Sequence, residues 1–153
     1  MLTDALLAFL HFTAIFVLIT LMAAEAVVLR PDMSPATVRR LSLYDLFYFI
    51  SAMVVLATGL LRLFYGAKGL DFYIHNPWFH AKMTVFVVIA LCSLPPTFAI
   101  AKWRKQAKRL PDFVPTPAEI KKARRWVMIE AHLLILLPLC AVMMARGIGI
   151  GIR

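Results

Sequence analysis

The chain has 153 residues, of which 62% are hydrophobic and only 16% are charged. A soluble domain carries about a quarter charged residues, so this composition excludes an ordinary soluble globular protein. Four apolar segments are long enough to cross the hydrocarbon core of a bilayer, which takes about 20 residues. We therefore predict an all-α fold, an integral membrane four-helix bundle in which residues 1–153 form a single transmembrane domain.

The first predicted helix covers residues from about 5 to 29. The letters AEA at 24–26 imitate the cleavage site of a signal peptide. A signal peptide, however, has a basic start and a short apolar stretch. Here the only early charge is Asp4, and the long apolar run contains His11. We expect this segment to be a membrane helix that is not cleaved.

The other three predicted helices, at about 35–65, 77–102 and 117–145, begin with a capping side chain followed by proline. The capping side chain accepts a hydrogen bond from a free N–H, and the N–H that proline lacks is not needed at the first helical position. Glu119 also completes a capping box at the last of these starts. The three motifs are Ser34-Pro35, Asn76-Pro77 and Thr116-Pro117.

Prolines and a glycine predict where the later helices bend and end. Pro95-Pro96 and Pro138 lie inside the third and fourth predicted helices and are expected to kink them. Arg146-Gly147 is expected to end the fourth helix. The remaining letters, GIGIGIR, are typical of a loose tail.

The basic residues are distributed unevenly between the two sides of the predicted membrane. Of the 17 Lys and Arg residues, nine lie between the third and fourth helices, and Arg30, Arg39 and Arg40 lie between the first and second. The opposite side holds Arg62, Lys68, Lys82, Arg146 and Arg153. The positive-inside rule then places the basic loops in the cytoplasm and both termini on the outer, periplasmic side. We expect a multi-pass protein of the bacterial inner membrane, with anionic headgroups as partners of the basic loops.

The net charge of +9 also raises the question of nucleic-acid binding. No basic fold studded with aromatic residues accompanies the charge, so we expect no nucleic-acid partner. The expected partner is the lipid bilayer, and whether the chain forms a homo-oligomer stays open at this point.

The ionisable residues of the predicted helices form two layers when depth is counted at about 1.5 Å per residue. The outer layer contains histidines and cations, and the inner layer contains mainly carboxylates. Glu25 follows His11 by fourteen residues, so both face the same side of the first helix. The outer layer comprises His11, Arg62, Tyr65, His75, His80 and Lys82, and the inner layer comprises Glu25, Asp45, Glu130 and His132.

The outer layer has the residue types that a haem b site requires. Haem iron takes one or two imidazole ligands, and its propionates pair with Arg or Lys. His11 and His80 are the predicted iron ligands, with His132 a less favoured third candidate. Arg62 and Lys82 are the predicted propionate partners, and Tyr65 is one of the aromatic walls. Because the chain has no C-x-x-C-H motif, any haem is expected to bind non-covalently.

The stretch LLRLFYGAKGLDFYIHNPWFHAKM, followed by SLPPT, resembles a family of small bacterial four-helix membrane proteins of unknown function. More distantly, the early histidine of the first helix, GLLRLFYG and WFHAK are similar to HemJ-type protoporphyrinogen oxidases and CopD-like membrane proteins. This likeness implies a membrane oxidoreductase that binds haem b, with His11, His80 and Lys82 at the matching positions. The late Asn-Glu-Pro motif of HemJ-type proteins has no counterpart here, which leaves open whether the chain is an enzyme.

We therefore expect a haem b protein that acts in electron transfer or in the oxidation of a small or porphyrin-like substrate, with a redox partner that the sequence does not identify. Two alternatives without haem stay open. Cys140, Met143 and Met144 offer soft ligands for Cu(I). Glu25, Glu130 and His132 offer a proton relay for a proton-coupled transporter. Cys92 and Cys140 differ in predicted depth by about 10 Å, so we expect no disulfide between them.

Overall fold

The computed structural model describes residues 2–66 and 69–148, and the regular secondary structure in these ranges is entirely α-helical. Four helical stretches are long and apolar enough to cross a membrane, which confirms the predicted all-α membrane fold. The fourth stretch consists of two helices separated by one residue. The helices are α1 (Leu2–Val28), α2 (Pro35–Tyr65), α3 (Gly69–Ile74), α4 (Pro77–Arg109), α5 (Pro117–Leu134) and α6 (Leu136–Ala145).

The capped starts of α2, α4 and α5 are confirmed. The Ser34 hydroxyl accepts a hydrogen bond from the backbone N–H of Thr37 at 3.3 Å. The Asn76 side chain accepts one from the N–H of Trp78 at 3.0 Å. Thr116 and Glu119 form the predicted capping box. These caps are local interactions, which explains why the sequence predicts them.

The ends of the helices differ more from the prediction than the starts do. Helix α4 continues to Arg109 instead of ending near 102, because its last turns contain Lys, Arg, Gln and Ala, which are good helix formers. It also runs without interruption through Pro95 and Pro96. The short helix α3 was not predicted, since six residues carry no readable periodicity.

The fourth predicted helix is broken at Ile135, three residues before Pro138. Pro138 has no N–H to donate to the carbonyl of Leu134, so the helical ladder is interrupted there. Gly147 follows α6 with φ of +67°, a left-handed conformation that ends a helix. The predicted end at Arg146-Gly147 is confirmed, while residues 149–153 of the predicted tail lie outside the described residues.

Helix α2 packs against α1 and also against α4, while α4 contacts α5 and α6. Helix α1 contributes a stripe spaced by three or four residues, as predicted for His11 and Glu25. Large apolar side chains such as Phe9, Phe16 and Phe98 point outward, which suits a lipid-facing surface. The buried stripe of α1 is His11, Ala14, Leu18, Met22 and Glu25.

We call the end of the bundle where α2 and α5 begin and α4 ends the basic end. The His11 end means the opposite end, where α1 and α4 begin and α2 and α6 end. The charge asymmetry still predicts that the basic end faces the cytoplasm.

Asn76 joins the start of α4 to the end of α6. It is fully buried, caps α4, and donates a hydrogen bond from Nδ2 to the carbonyl of Met144 at 3.3 Å.

We predict that Asn76→Ala lowers the free energy of unfolding by about 1–2 kcal/mol, measured by thermal unfolding in detergent. The control is Thr20→Val, whose exposed hydroxyl bonds only within its own helix. Equal stability of the two variants would contradict this role of Asn76.

Candidate functional site

His11 is held at the His11 end by a hydrogen bond to α2. Its Nδ1 lies 2.9 Å from the hydroxyl oxygen of Thr58. The single hydroxyl hydrogen of Thr58 is donated to the carbonyls of Val54, at 2.6 Å, and Val55, at 3.2 Å. The Thr58 oxygen therefore accepts from Nδ1–H of His11. This fixes the tautomer and leaves the lone pair of Nε2 free to bind a ligand.

Gly59 gives the imidazole its space. A Cβ at position 59 would stand 3.2 Å from Cε1 of His11, which is tighter than ordinary van der Waals contact. A larger side chain at this position would therefore displace the ring. Neither Thr58 nor Gly59 was predicted as a site residue, since no motif marks the residue that faces a histidine on another helix.

A small cavity of about 70 Å³ lies beside the imidazole. Its described lining contains two cations and no carboxylate. Arg62 places its guanidinium carbon 5.7 Å from the centroid of the Phe12 ring, and its buried Nε has no hydrogen-bond partner among the described residues. The lining residues are His11, Gly59, Arg62, Leu63, Tyr73, Phe79, Lys82 and Met144.

The structure thus brings together three of the predicted outer residues, His11, Arg62 and Lys82, and separates two others from them. His80 is exposed, and its Nε2 lies 2.8 Å from the carbonyl of Ile74 in α3. Tyr65 is 66% exposed. Neither residue lines the cavity. Tyr73 takes the aromatic position that was predicted for Tyr65.

A second polar layer lies closer to the basic end and consists of buried carboxyl groups. Glu25 is 4% exposed and Glu130 is 2% exposed. The hydroxyl of Tyr48 donates to Oε2 of Glu130 at 3.0 Å. The other oxygen of Glu130, and Oε1 of Glu25, have no hydrogen-bond partner among the described residues.

Asp45 belongs to the same carboxyl layer. Its Oδ1 accepts a hydrogen bond from the hydroxyl of Thr97 at 2.7 Å, which joins α2 to α4. Glu25 lies near enough to Asp45 and Glu130 for their charges to interact. Four different elements, α1, α2, α4 and α5, therefore contribute polar side chains to this layer.

His132, the third member of the predicted relay, is not part of the carboxyl layer. Its side chain is exposed, and its Nδ1 bonds to the carbonyl of Met128 in its own helix. Glu130 and His132 are two residues apart, so they point to different sides of α5.

The sulfur residues of the copper alternative are divided between the core and the cavity. Cys140 is buried and Cys92 is half-buried. Neither of these cysteines forms a disulfide. Met144 lines the cavity beside His11. Within residues 2–66 and 69–148, no group of three or more His, Cys, Asp or Glu side chains is arranged to hold a metal ion. Copper handling stays a prediction.

We predict that His11 carries its hydrogen on Nδ1 when the ring is neutral, because the Thr58 oxygen can only accept there. Nitrogen NMR of histidine-labelled protein at mildly alkaline pH distinguishes the two tautomers. Thr58→Val is expected to lower the population of the Nδ1–H tautomer of His11. The His11 signal is assigned as the resonance that is absent from His11→Ala. Thr84→Val, which removes an exposed hydroxyl bonded within α4, is the control. A wild-type His11 protonated on Nε2 would refute the assignment.

Comparison with known families gives one match. The model of the family described as predicted membrane protein (DUF2214) matches residues 3–149. No curated protein and no solved structure matches the chain. The expected likeness to HemJ-type and CopD-like proteins therefore stays a prediction. The family match covers nearly the whole chain, including both polar layers, and agrees with the four membrane-length helical stretches. The chain thus belongs to the DUF2214 family of membrane proteins.

Proposed function

We propose that this protein binds haem b in the bacterial inner membrane, with His11 as the iron ligand, and acts in electron transfer or oxidoreduction. The observation that carries the proposal is the buried imidazole of His11, whose Nδ1–H is bonded to Thr58 while Nε2 keeps its lone pair. Histidines that bind metals commonly donate their other ring N–H in this way. The basic loops would lie in the cytoplasm, as the positive-inside rule predicts.

The donor set around His11 suits haem b. Arg62 and Lys82 line the same cavity and would pair with the two propionates, because guanidinium and ammonium groups form strong hydrogen bonds to carboxylates. Phe79 and Tyr73 would provide apolar contact for the porphyrin. His80 does not fit the predicted role of second ligand in this arrangement, because its Nε2 is bonded to Ile74.

The cavity volume sets a further requirement. About 70 Å³ is far below the roughly 300–1,000 Å³ of pockets that hold drug-sized ligands. A porphyrin would therefore fit only if the lining side chains moved apart. Tyr73 on α3 and Phe79 in the first turn of α4 both belong to this lining.

The chain's own residues would perform three tasks in the proposed function. Thr58 orients the imidazole, Gly59 leaves space for it, and the apolar side chains of the bundle exclude water. Bound haem supplies one-electron redox chemistry. This redox chemistry, held by His11 inside the bundle, would suit the oxidoreductase form of the proposal.

The first test measures haem binding. Purified protein incubated with hemin should develop a Soret band, and His11→Ala should lose most of it. Arg62→Gln and Lys82→Gln should each weaken hemin affinity by roughly tenfold, the effect of losing one charged hydrogen bond. His80→Ala and His132→Ala are the matched controls and should retain haem. Protein that stays colourless, or full retention of haem by His11→Ala, would overturn the proposal.

A second candidate function is proton-coupled transport through the carboxyl layer. The observation that favours it is the pair of buried oxygens, Oε1 of Glu25 and Oε1 of Glu130, that have no partner among the described residues. Intramembrane carboxyl groups are costly and mark proton pathways in many transporters. Tyr48 would position Glu130, and Glu25 would exchange the proton.

The second test measures proton movement. Glu25→Gln is expected to reduce proton flux in liposomes carrying a pH gradient by at least about tenfold, because the amide keeps the size of the side chain but does not exchange a proton. Glu119→Gln, which changes an exposed carboxyl group in the α5 capping box, is the control. A flux unchanged by Glu25→Gln, or absent from the wild type, would remove this candidate.

A further inference from the structure

A larger cavity lies at the basic end, on the surface between α2 and α4. Its volume is about 550 Å³, and it is lined by polar and apolar residues of the two helices. It is separate from the cavity beside His11, with which it shares no lining residue. We call it the α2–α4 groove.

The apolar part of the α2–α4 groove consists of Leu46 and Phe49 on α2 and Ile100 and Ala101 on α4. Ile100 is buried in the protein core, whereas the other three are exposed. Leu46 and Phe49 belong to the outward-facing apolar surface that suits contact with lipid. An acyl chain lying along these side chains would therefore remain in the hydrocarbon region.

The cationic part of the groove consists of Arg104, Lys105 and Lys108. All three are exposed, and none of them forms an ion pair with a carboxylate in the described part of the chain. They follow the apolar segment of α4, where the helix leaves the predicted membrane span near residue 102. Their charges therefore lie at the level of the lipid headgroups.

Asp45 and Thr97 mark the deep limit of the cationic part. The carboxyl group of Asp45 accepts a hydrogen bond from Thr97, and both residues line the groove. Thr97 precedes Arg104 by seven residues, about 10 Å along α4. An anionic group would therefore be attracted to the three cations, whereas the groove offers it no cation at the deeper position beside Asp45.

We propose that the α2–α4 groove binds one anionic phospholipid, with its phosphate at Arg104, Lys105 and Lys108 and an acyl chain along Leu46 and Phe49. Charge complementarity selects the anionic headgroup, and the adjoining apolar wall selects a lipid over a free phosphate. The Ser42 hydroxyl at the edge of the groove is already donated to the carbonyl of Arg39 at 2.8 Å. Recognition therefore falls to the cations and the apolar wall.

The test compares lipids that differ in charge. The detergent-solubilised full chain is titrated with phosphatidylglycerol or phosphatidylcholine. Native mass spectrometry then gives the affinity of the most tightly bound lipid molecule. We expect phosphatidylglycerol to bind more tightly than phosphatidylcholine. Inorganic phosphate should not compete with it, and Ala101→Trp, which fills the groove without changing the charge, should abolish its preferential binding.

A matched pair of triple variants separates the groove from general attraction to the basic surface. The first variant is Arg104→Gln, Lys105→Gln and Lys108→Gln, and the second is Lys121→Gln, Lys122→Gln and Arg124→Gln. Both remove three exposed cations, and the second set lies on α5. We expect phosphatidylglycerol to bind about tenfold more weakly to the first variant than to the second.

Three outcomes would overturn the proposal. Equal loss of affinity in both triple variants would show attraction to net charge alone. Displacement of the lipid by inorganic phosphate would show a site for free anions. Unchanged binding by Ala101→Trp would place the lipid outside the groove. Because these measurements need neither haem nor a proton gradient, their outcome is independent of the proposed function.

Discussion

The bundle depends on one constraint, which is that a polar side chain inside the hydrocarbon region needs a partner within the protein. Helix α2 meets this need for side chains of three other helices. Thr58 of α2 accepts from His11 of α1, Tyr48 donates to Glu130 of α5, and Asp45 accepts from Thr97 of α4. Lipid tails are as apolar as the helix surfaces, so apolar contact alone gives little preference for one arrangement of the helices over another. The three hydrogen bonds favour one arrangement.

The sequence predicts features that depend on neighbouring residues along the chain and misses those that depend on packing. Caps such as Asn76-Pro77 are local, so the predicted starts of α2, α4 and α5 agree with the structure. Counting the rise per residue places His11, Arg62 and Lys82 in one outer layer, and the structure places all three around one cavity. The same count gives no direction around the helix axis relative to a neighbouring helix. The sequence therefore groups His80 with His11. In the structure, the His80 ring is bonded to the carbonyl of Ile74 in α3, a helix that the sequence does not predict.

The carboxyl layer is costly for a protein that needs only to fold. An unpaired buried polar atom is unfavourable in a low-dielectric environment. The Oε1 atoms of Glu25 and Glu130 are buried and have no hydrogen-bond partner among the described residues. Tyr48 satisfies only one oxygen of Glu130. An apolar side chain at position 25 would be buried without this penalty. The presence of glutamate there therefore favours a role in binding or moving a charge over a purely structural one.

The two polar layers are separated along the axis of the bundle. Thr58 and Tyr48 are ten residues apart on α2, about 15 Å along the helix axis. The buried stripe between them includes Leu18 and Val55, with Ser51 as a buried hydroxyl. Within residues 2–66 and 69–148, no hydrogen bond connects His11 to the carboxyl groups. The two proposed functions therefore rest on different residues, so evidence for one would neither require nor exclude the other.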